Sequence, residues 1–436
     1  MNADRTALEI FLRITEDGAY ANLALKDGLR GADRASAARI TALVYTALEH
    51  MNWCDYMLAA FAKGRVQPKV RGILRLFSTE LFFMQTPDHA VCSRAVALTK
   101  QVGKAPLAGY VNGVMRSLAR ARHEGSLPEL PADAAERLCV LTGCPVFMAR
   151  EYIDDYGEEF AREMLTNRAV GIGLRPVYPH TAEELEAHLI SLGLPYRRSA
   201  LAAGAFAAER FPGLAEDELF KAGAFAVQSE SAMLTCRCMG LKPGMRVLDA
   251  CAAPGGKTAY IADIMERTGR ITAFELHPHR AELIRETLSR LGIAGVDIAV
   301  RDASVFDPQY EGAFDAVLVD APCSGLGGGS KPEAVFRRTD SGIDELAELQ
   351  YAILSACARY VRPGGTLVYS TCTLSRREDE QVTDRFLSEH AGFAPVPLGD
   401  CLPERLRGRG EKGRIRLFPH VDGTEGFYIA KLERKL

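Results

Sequence analysis

The chain has 436 residues, 47% hydrophobic and 25% charged, which is the composition of a folded globular protein and excludes disordered and fibrous classes. No apolar run reaches membrane-span length and the N-terminus lacks a signal-peptide pattern, so a cytoplasmic protein with no membrane partner is expected. The net charge of −3 is unevenly spread: residues 1–122 hold 17 Lys and Arg against 10 Asp and Glu, a net +7, which leaves −10 for the rest. A basic front end suits contact with nucleic acid, although a solvated helical face would carry the same charge. The 11 cysteines include close pairs (Cys139 with Cys144, Cys236 with Cys238) but no second pair at zinc-finger spacing. Reduced thiols and no metal are the reading.

At this length two or three domains are expected. The first, residues 1–125, reads as an all-α bundle. Apolar positions recur at helical spacing over 4–29 (broken near Gly18), 39–61, 73–82, 91–102 and 107–118. Gly125, Pro128 and Pro131 then mark a linker over 126–144. Residues 145–232 form a small α/β unit, expected to be ferredoxin-like. It has one or two helices over 145–164, a strand over 174–178, a helix opened by Thr181, and short strands near 195–198 and 205–207.

The last domain, 233–436, is the plainest. Strands at 246–249, 270–275, 297–302, 314–320 and 365–370 alternate with helices, the pattern of a parallel, doubly wound, Rossmann-like sheet. Ligands of such sheets lie beyond the carboxyl ends of the strands, and Asp249, Glu275, Asp302 and Asp320 each end one. One such acid is usually a turn cap, whereas four in succession point to a ligand. Neither phosphate-binding glycine fingerprint is present. Gly255-Gly256 admits close backbone approach, and the acid 26 residues after Asp249 suits a ribose diol. A nucleoside with a cationic appendage, S-adenosylmethionine, fits this acidic rim, with NAD as the alternative.

Two cysteines at strand ends, Cys323 in Asp320-Ala-Pro-Cys-Ser and Cys372 in Tyr369-Ser-Thr-Cys-Thr, flank the same expected pocket. A thiolate is a strong nucleophile toward electron-poor carbon, so two of them suggest a covalent bond made and then broken. A buried structural role is the usual one for cysteine and is the reading for the Cys357 and Cys251 side chains. A redox pair is disfavoured without C-x-x-C spacing. These residues do not by themselves say which thiol attacks.

Asp249-Ala-Cys-Ala-Ala-Pro-Gly-Gly-Lys-Thr258, Asp320-Ala-Pro-Cys-Ser-Gly-Leu-Gly327 and Tyr369-Ser-Thr-Cys-Thr-Leu-Ser375 closely resemble the Sun family of ribosomal RNA cytosine-5 methyltransferases. Residues 226–231 and 418–428 also resemble it, and the helical front end resembles a NusB-like RNA-binding domain. The resemblance implies a monomeric, S-adenosylmethionine-dependent enzyme acting on small-subunit (16S) ribosomal RNA. It implies Cys372 as nucleophile, Cys323 as the group that helps release the product, Asp320 as the residue that stabilises the attacked base, and Lys257 as its orienter. It places the cofactor on Cys251, Ala252, Ala253, Pro254, Gly255, Gly256 and Lys257, with Glu275, Asp302 and Asp320. The chain departs from the family pattern at Gly327-Gly-Gly-Ser-Lys331 and at Arg175-Pro176-Val177, both expected RNA contacts. A non-catalytic RNA-binding factor and a DNA cytosine methyltransferase are the competing readings. The second is disfavoured because such enzymes attack with the Pro-Cys thiol.

Overall fold

The computed structural model describes residues 2–167, 171–327 and 338–436. It divides into two compact units, one built on residues up to Thr166 and the other on Asn167–Gly329 and Asp340–Leu436. Of the Gly327–Lys331 departure, only Gly327 lies within the described residues.

In the first unit the described residues form ten α-helices. These are α1 (Ala3–Thr15), α2 (Ala21–Gly28), α3 (Arg34–Glu49), α4 (Met51–Phe61), α5 (Pro68–Phe83), α6 (Asp88–Gln101), α7 (Ala108–Glu124), α8 (Ala134–Thr142), α9 (Val146–Tyr156) and α10 (Glu158–Thr166). Asn2 and Asp33 cap α1 and α3 by accepting from backbone N–H groups, and Gly125 at φ 65° ends α7. Leu8, Phe11, Leu43, Ile73, Phe77 and Leu118 fill the core. The stripe expected over 39–61 is two helices, not one. The break is at His50, whose ring stacks on Phe83 with centroids 3.7 Å apart.

Helices α8–α10 belong to this unit, whereas the sequence divided them between linker and α/β unit. Their attachments are polar and long-range, invisible to periodicity. Asn52 donates to the Cys139 carbonyl at 3.3 Å, and the Tyr56 hydroxyl donates to the Glu129 carbonyl at 2.6 Å. Several basic residues of the front end serve as internal staples. Arg94 reaches the buried Glu80 at 2.6 Å, Arg39 reaches Asp4 at 3.1 Å, and Arg75 reaches Asp55 at 2.6 Å.

The second unit opens with a small sheet: β1 (Ile172–Pro176), α11 (Ala182–Ser191), β2 (Tyr196–Arg198), β3 (Phe206–Ala208), α12 (Glu218–Lys221) and β4 (Phe225–Val227). The antiparallel order β2-β3-β1-β4 and the βαββαβ succession are those of the expected ferredoxin-like unit. Thr181 and Glu184 close a reciprocal capping box on α11.

The larger sheet follows α13 (Glu230–Cys238). Its parallel strands are β5 (Arg246–Asp249), β6 (Arg270–Glu275), β7 (Val296–Val300), β8 (Phe314–Asp320) and β9 (Val361–Thr371). They are crossed by α14 (Gly256–Ile264), α15 (Pro278–Arg290) and α16 (Asp340–Ala358). After α17 (Glu380–Glu389) come β10 (Phe393–Pro395), β11 (Arg414–Leu417), α18 (Pro419–Asp422) and β12 (Phe427–Arg434). The order is β10-β12-β9-β8-β5-β6-β7, with β11 paired to β12 and β12 antiparallel to β9. The chain runs outward in both directions from β5 and β8, so the switch point lies between those two strands. Among the described residues no helix is long and apolar enough to cross a membrane.

Candidate active site

Asp249 and Asp320 end the two strands at the switch point, and the Asp249–Lys257 loop runs between them into α14. Gly255 sits at φ 102°, where a side chain is strained, and a Cβ there would come within 3.2 Å of the Ile284 backbone. At Gly256 a Cβ would meet nothing within 4 Å, so there is open space beside the start of α14. The Thr287 hydroxyl fixes the loop by donating to the Pro254 carbonyl at 2.7 Å.

Lys257 donates to Asp320 Oδ2 at 2.7 Å, and Ser370, from neighbouring β9, donates to Oδ1 at 2.8 Å. Burial alone would lower the Lys257 pKa. The Asp320 carboxylate outweighs it, and the ammonium is held above the usual lysine range. Cys372 also contributes, as the least of the causes, to the field that keeps Lys257 charged. Cys323 and Cys372 meet with their sulfurs 3.0 Å apart. Hydrogen bonding to Cys372 and burial, in that order, hold the Cys323 thiol well above the usual range. Of the two, Cys372 is the exposed one and Cys323 is only partly exposed.

The strand-end acids have different surroundings. Asp249 is fully buried, accepts from the Thr258 hydroxyl at 2.7 Å, and leaves Oδ1 without a side-chain partner. Burial pushes its pKa up to about 6. Glu275 is buried too, with Oε1 taking the His277 backbone N–H at 3.1 Å and Arg280 at 3.4 Å. Asp302 is exposed and caps its own turn, accepting from the Ser304 backbone and hydroxyl at 2.9 and 2.6 Å. Cys357 is buried as expected, whereas Cys251 is only partly buried.

Arg175 is not the surface RNA contact that its motif suggested. It is 1% exposed, pairs with Asp263 of α14 at 2.5 Å, donates to Gln228 at 2.7 Å and lies over the Tyr260 ring at 4.5 Å. It fastens the small sheet to the helix whose first turn carries Lys257. Sequence reasoning also missed Ser370, and it missed Glu378 and Gln350, which are buried beneath the Cys323 loop. The charged stretch Arg376-Arg377-Glu378-Asp379-Glu380 gave no signal of burial, since such a run is usually a solvated face.

A Rossmann-like domain with an eight-stranded sheet that follows a helical bundle along the chain defines the class, and residues 1–120 match the NusB family. Residues 237–433 match the 16S rRNA methyltransferase RsmB/F family. The probable ribosomal RNA small subunit methyltransferase B of Bacillus subtilis strain 168 is 35% identical, over 98% of each chain. Ribosomal RNA small subunit methyltransferase B of Xanthomonas campestris is 30% identical over 98% of this chain and 95% of that one. The crystal structure of PH0851 superposes at TM-score 0.82 and 25% identity, covering 99% of this chain and 98% of that one. The chain belongs to the RsmB/F family.

The Asp249 pKa gives a pH test. The folded-state value of about 6 lies above the ordinary 3.8, so folding favours the protonated acid. Its contribution to stability is full below about 3.8 and is lost as pH rises through about 6. Asp249→Asn should raise the melting temperature of ligand-free protein more at pH 8 than at pH 5. An equal shift at both would show that Asp249 is not buried as a titrating acid.

Proposed function

We propose that this chain methylates carbon 5 of a cytosine in small-subunit ribosomal RNA, with S-adenosylmethionine as donor, through a covalent bond from Cys372 to carbon 6. The observation that carries this reading is the 3.0 Å contact of the Cys323 and Cys372 sulfurs at the strand edge that holds the Lys257–Asp320 pair. Family membership supports the substrate class.

The residues present fit the donor. Asp249 Oδ1, which has no side-chain partner, suits a cationic ligand, and the open space beside the start of α14 admits close approach. Glu275 keeps an oxygen for a ribose hydroxyl, and Asp302 and the backbone of residues 251–257 complete the site. When bound, S-adenosylmethionine supplies an electrophilic methyl group.

Carbon 5 of cytosine is too weak a nucleophile to take that methyl unaided. Cys372 sulfur adds to carbon 6, and the 5,6 double-bond electrons move into the ring, making carbon 5 enamine-like. Asp320, oriented by Lys257 and Ser370, accepts from the exocyclic amine and holds the base as its charge shifts. Lys257 favours the Cys372 thiolate before attack. Adduct formation turns that thiolate into a neutral thioether, which removes the foremost cause of the raised Cys323 pKa. Cys323 then gives its proton to solvent and takes the proton from carbon 5. The freed electron pair re-forms the double bond, the sulfur–carbon 6 bond breaks, and Cys372 leaves as thiolate.

The first unit supplies the RNA contact in this reading. An open groove of about 870 Å³ between α6 and α7 is lined by Lys100, Arg116 and Arg120, all exposed and without an ion pair among the described residues. Asp88 in its wall is neutralised by Arg122 at 2.5 Å, and exposed Gly109 and Gly113 leave the α7 surface open. Such a groove suits a phosphodiester backbone.

Three outcomes follow. Cys372→Ala abolishes methyl transfer, whereas Cys323→Ala accumulates a covalent RNA complex, seen as a shifted band on a denaturing gel and lost in the double variant. Trapping by Cys372→Ala instead would reverse the two roles. Glu275→Ala weakens S-adenosylmethionine binding by calorimetry, since a charge-assisted hydrogen bond is worth ~1.5–3 kcal/mol. Unchanged affinity would remove Glu275 from the site. Replacing Lys100, Arg116 and Arg120 together by Glu flattens the log–log salt dependence of RNA affinity by about 2, at ~0.7 per single-strand phosphate. An unaltered slope would place the phosphates elsewhere.

A further inference from the structure

The Cys323 loop is gripped from below by a network the reaction scheme does not use. Glu378 is wholly buried, yet its two oxygens take three donors: the Ser324 backbone N–H at 2.8 Å, Gln350 Nε2 at 2.9 Å and the Ser324 hydroxyl at 2.5 Å. Gln350 Nε2 also donates to the Pro322 carbonyl at 2.9 Å. The peptide units on both sides of Cys323 are therefore held by one connected pair of side chains. Tyr369, from β9, steadies that pair by donating to the Glu378 carbonyl at 2.6 Å.

The same network reaches the other thiol. The Ser324 hydroxyl lies 2.8 Å from that of Thr373, the residue after Cys372. On the far side the Thr371 hydroxyl donates to Asp379 at 2.5 Å. Above, Gly327 N–H donates to the Cys372 carbonyl at 3.1 Å, and a Cβ at Gly327 would fall 2.0 Å from the Gly426 carbonyl. A buried carboxylate adds little stability that apolar packing would not supply, because desolvation offsets its hydrogen bonds. What it does provide is fixed geometry.

We infer that Glu378, acting with Gln350 through Ser324 and Pro322, is a positioning residue that sets the Cys323 sulfur over the Cys372 adduct and so governs product release rather than attack. The inference rests on the covalent reading above. It assigns Glu378 to the step after methyl transfer, because its hydrogen bonds go to the Cys323 loop.

The test uses full-length Glu378→Gln with ribosomal RNA and S-adenosylmethionine. A displacement near 1 Å costs up to ~100-fold in a positioned reaction, so release should slow by roughly 10- to 100-fold. The covalent RNA complex should accumulate while the KM for RNA and the affinity for S-adenosylmethionine stay unchanged. In a Cys323→Ala background the same substitution should lengthen the adduct lifetime no further, since the group it positions is gone. Additive slowing in that background, or lost turnover with no trapped complex, overturns the inference. Ser324→Ala provides the second variant should Glu378→Gln unfold: it removes one of the three donors and should trap in the same direction, and failure to trap likewise overturns the inference. If Cys323→Ala itself traps nothing, the covalent release scheme fails. If Cys323→Ala traps and Glu378→Gln does not, only the role of Glu378 fails.

Discussion

The Lys257–Asp320 ion pair is the contact on which the catalytic edge depends. It joins the first turn of α14 to the end of β8, and through Ser370 to β9, so three separate chain segments share one carboxylate. Removing either partner would leave a charge in a half-dry edge, which is far more costly than an exposed one. The pair also sets the local field. Asp320 holds the Lys257 ammonium above the usual lysine range, against the burial that would lower it. Position and charge are fixed by the same two residues.

The two thiols are alike in residue type and opposite in setting. Cys372 is exposed at the end of β9, and Cys323 is half-buried in a loop whose flanking peptides are both bonded. In the covalent reading proposed above, bonding of Cys372 to carbon removes the hydrogen bond that is the foremost cause of the raised Cys323 pKa, so that the first thiol to react alters the second. A pair of free cysteines at ordinary distance would have no such sequence.

Much of this was legible beforehand, for local reasons. Strands β5, β6 and β8 follow their apolar runs, and Asp249, Lys257, Asp320, Cys323 and Cys372 converge because parallel strands place their ends together. The capping box at Thr181 announced α11. What escaped depends on pairing across distance. Strand β10 has three residues and exists only because β12 accepts it as an edge. Helix α8 and the segment before it are tied to the bundle by side chain to carbonyl bonds that leave no periodic trace. Glu378 and Gln350 are separated by 28 residues and meet only through the crossover from α16 to β9. Arg175 read as an RNA contact because it lies where the chain departs from the family pattern, and only its partner on α14 shows otherwise.

That buried arginine bears on how such proteins can be cut and recombined. A fragment beginning near residue 233, where the sequence places the catalytic domain, would strip Arg175 from Asp263 and Tyr260 and bare the flank of α14. The smallest self-contained catalytic piece must start before Ile172 and bring the small sheet with it. By the same logic, grafting this sheet onto a relative demands matching residues at 263 and 260. The small sheet and the α14 helix are exchanged together or not at all, which makes them a single heritable cassette.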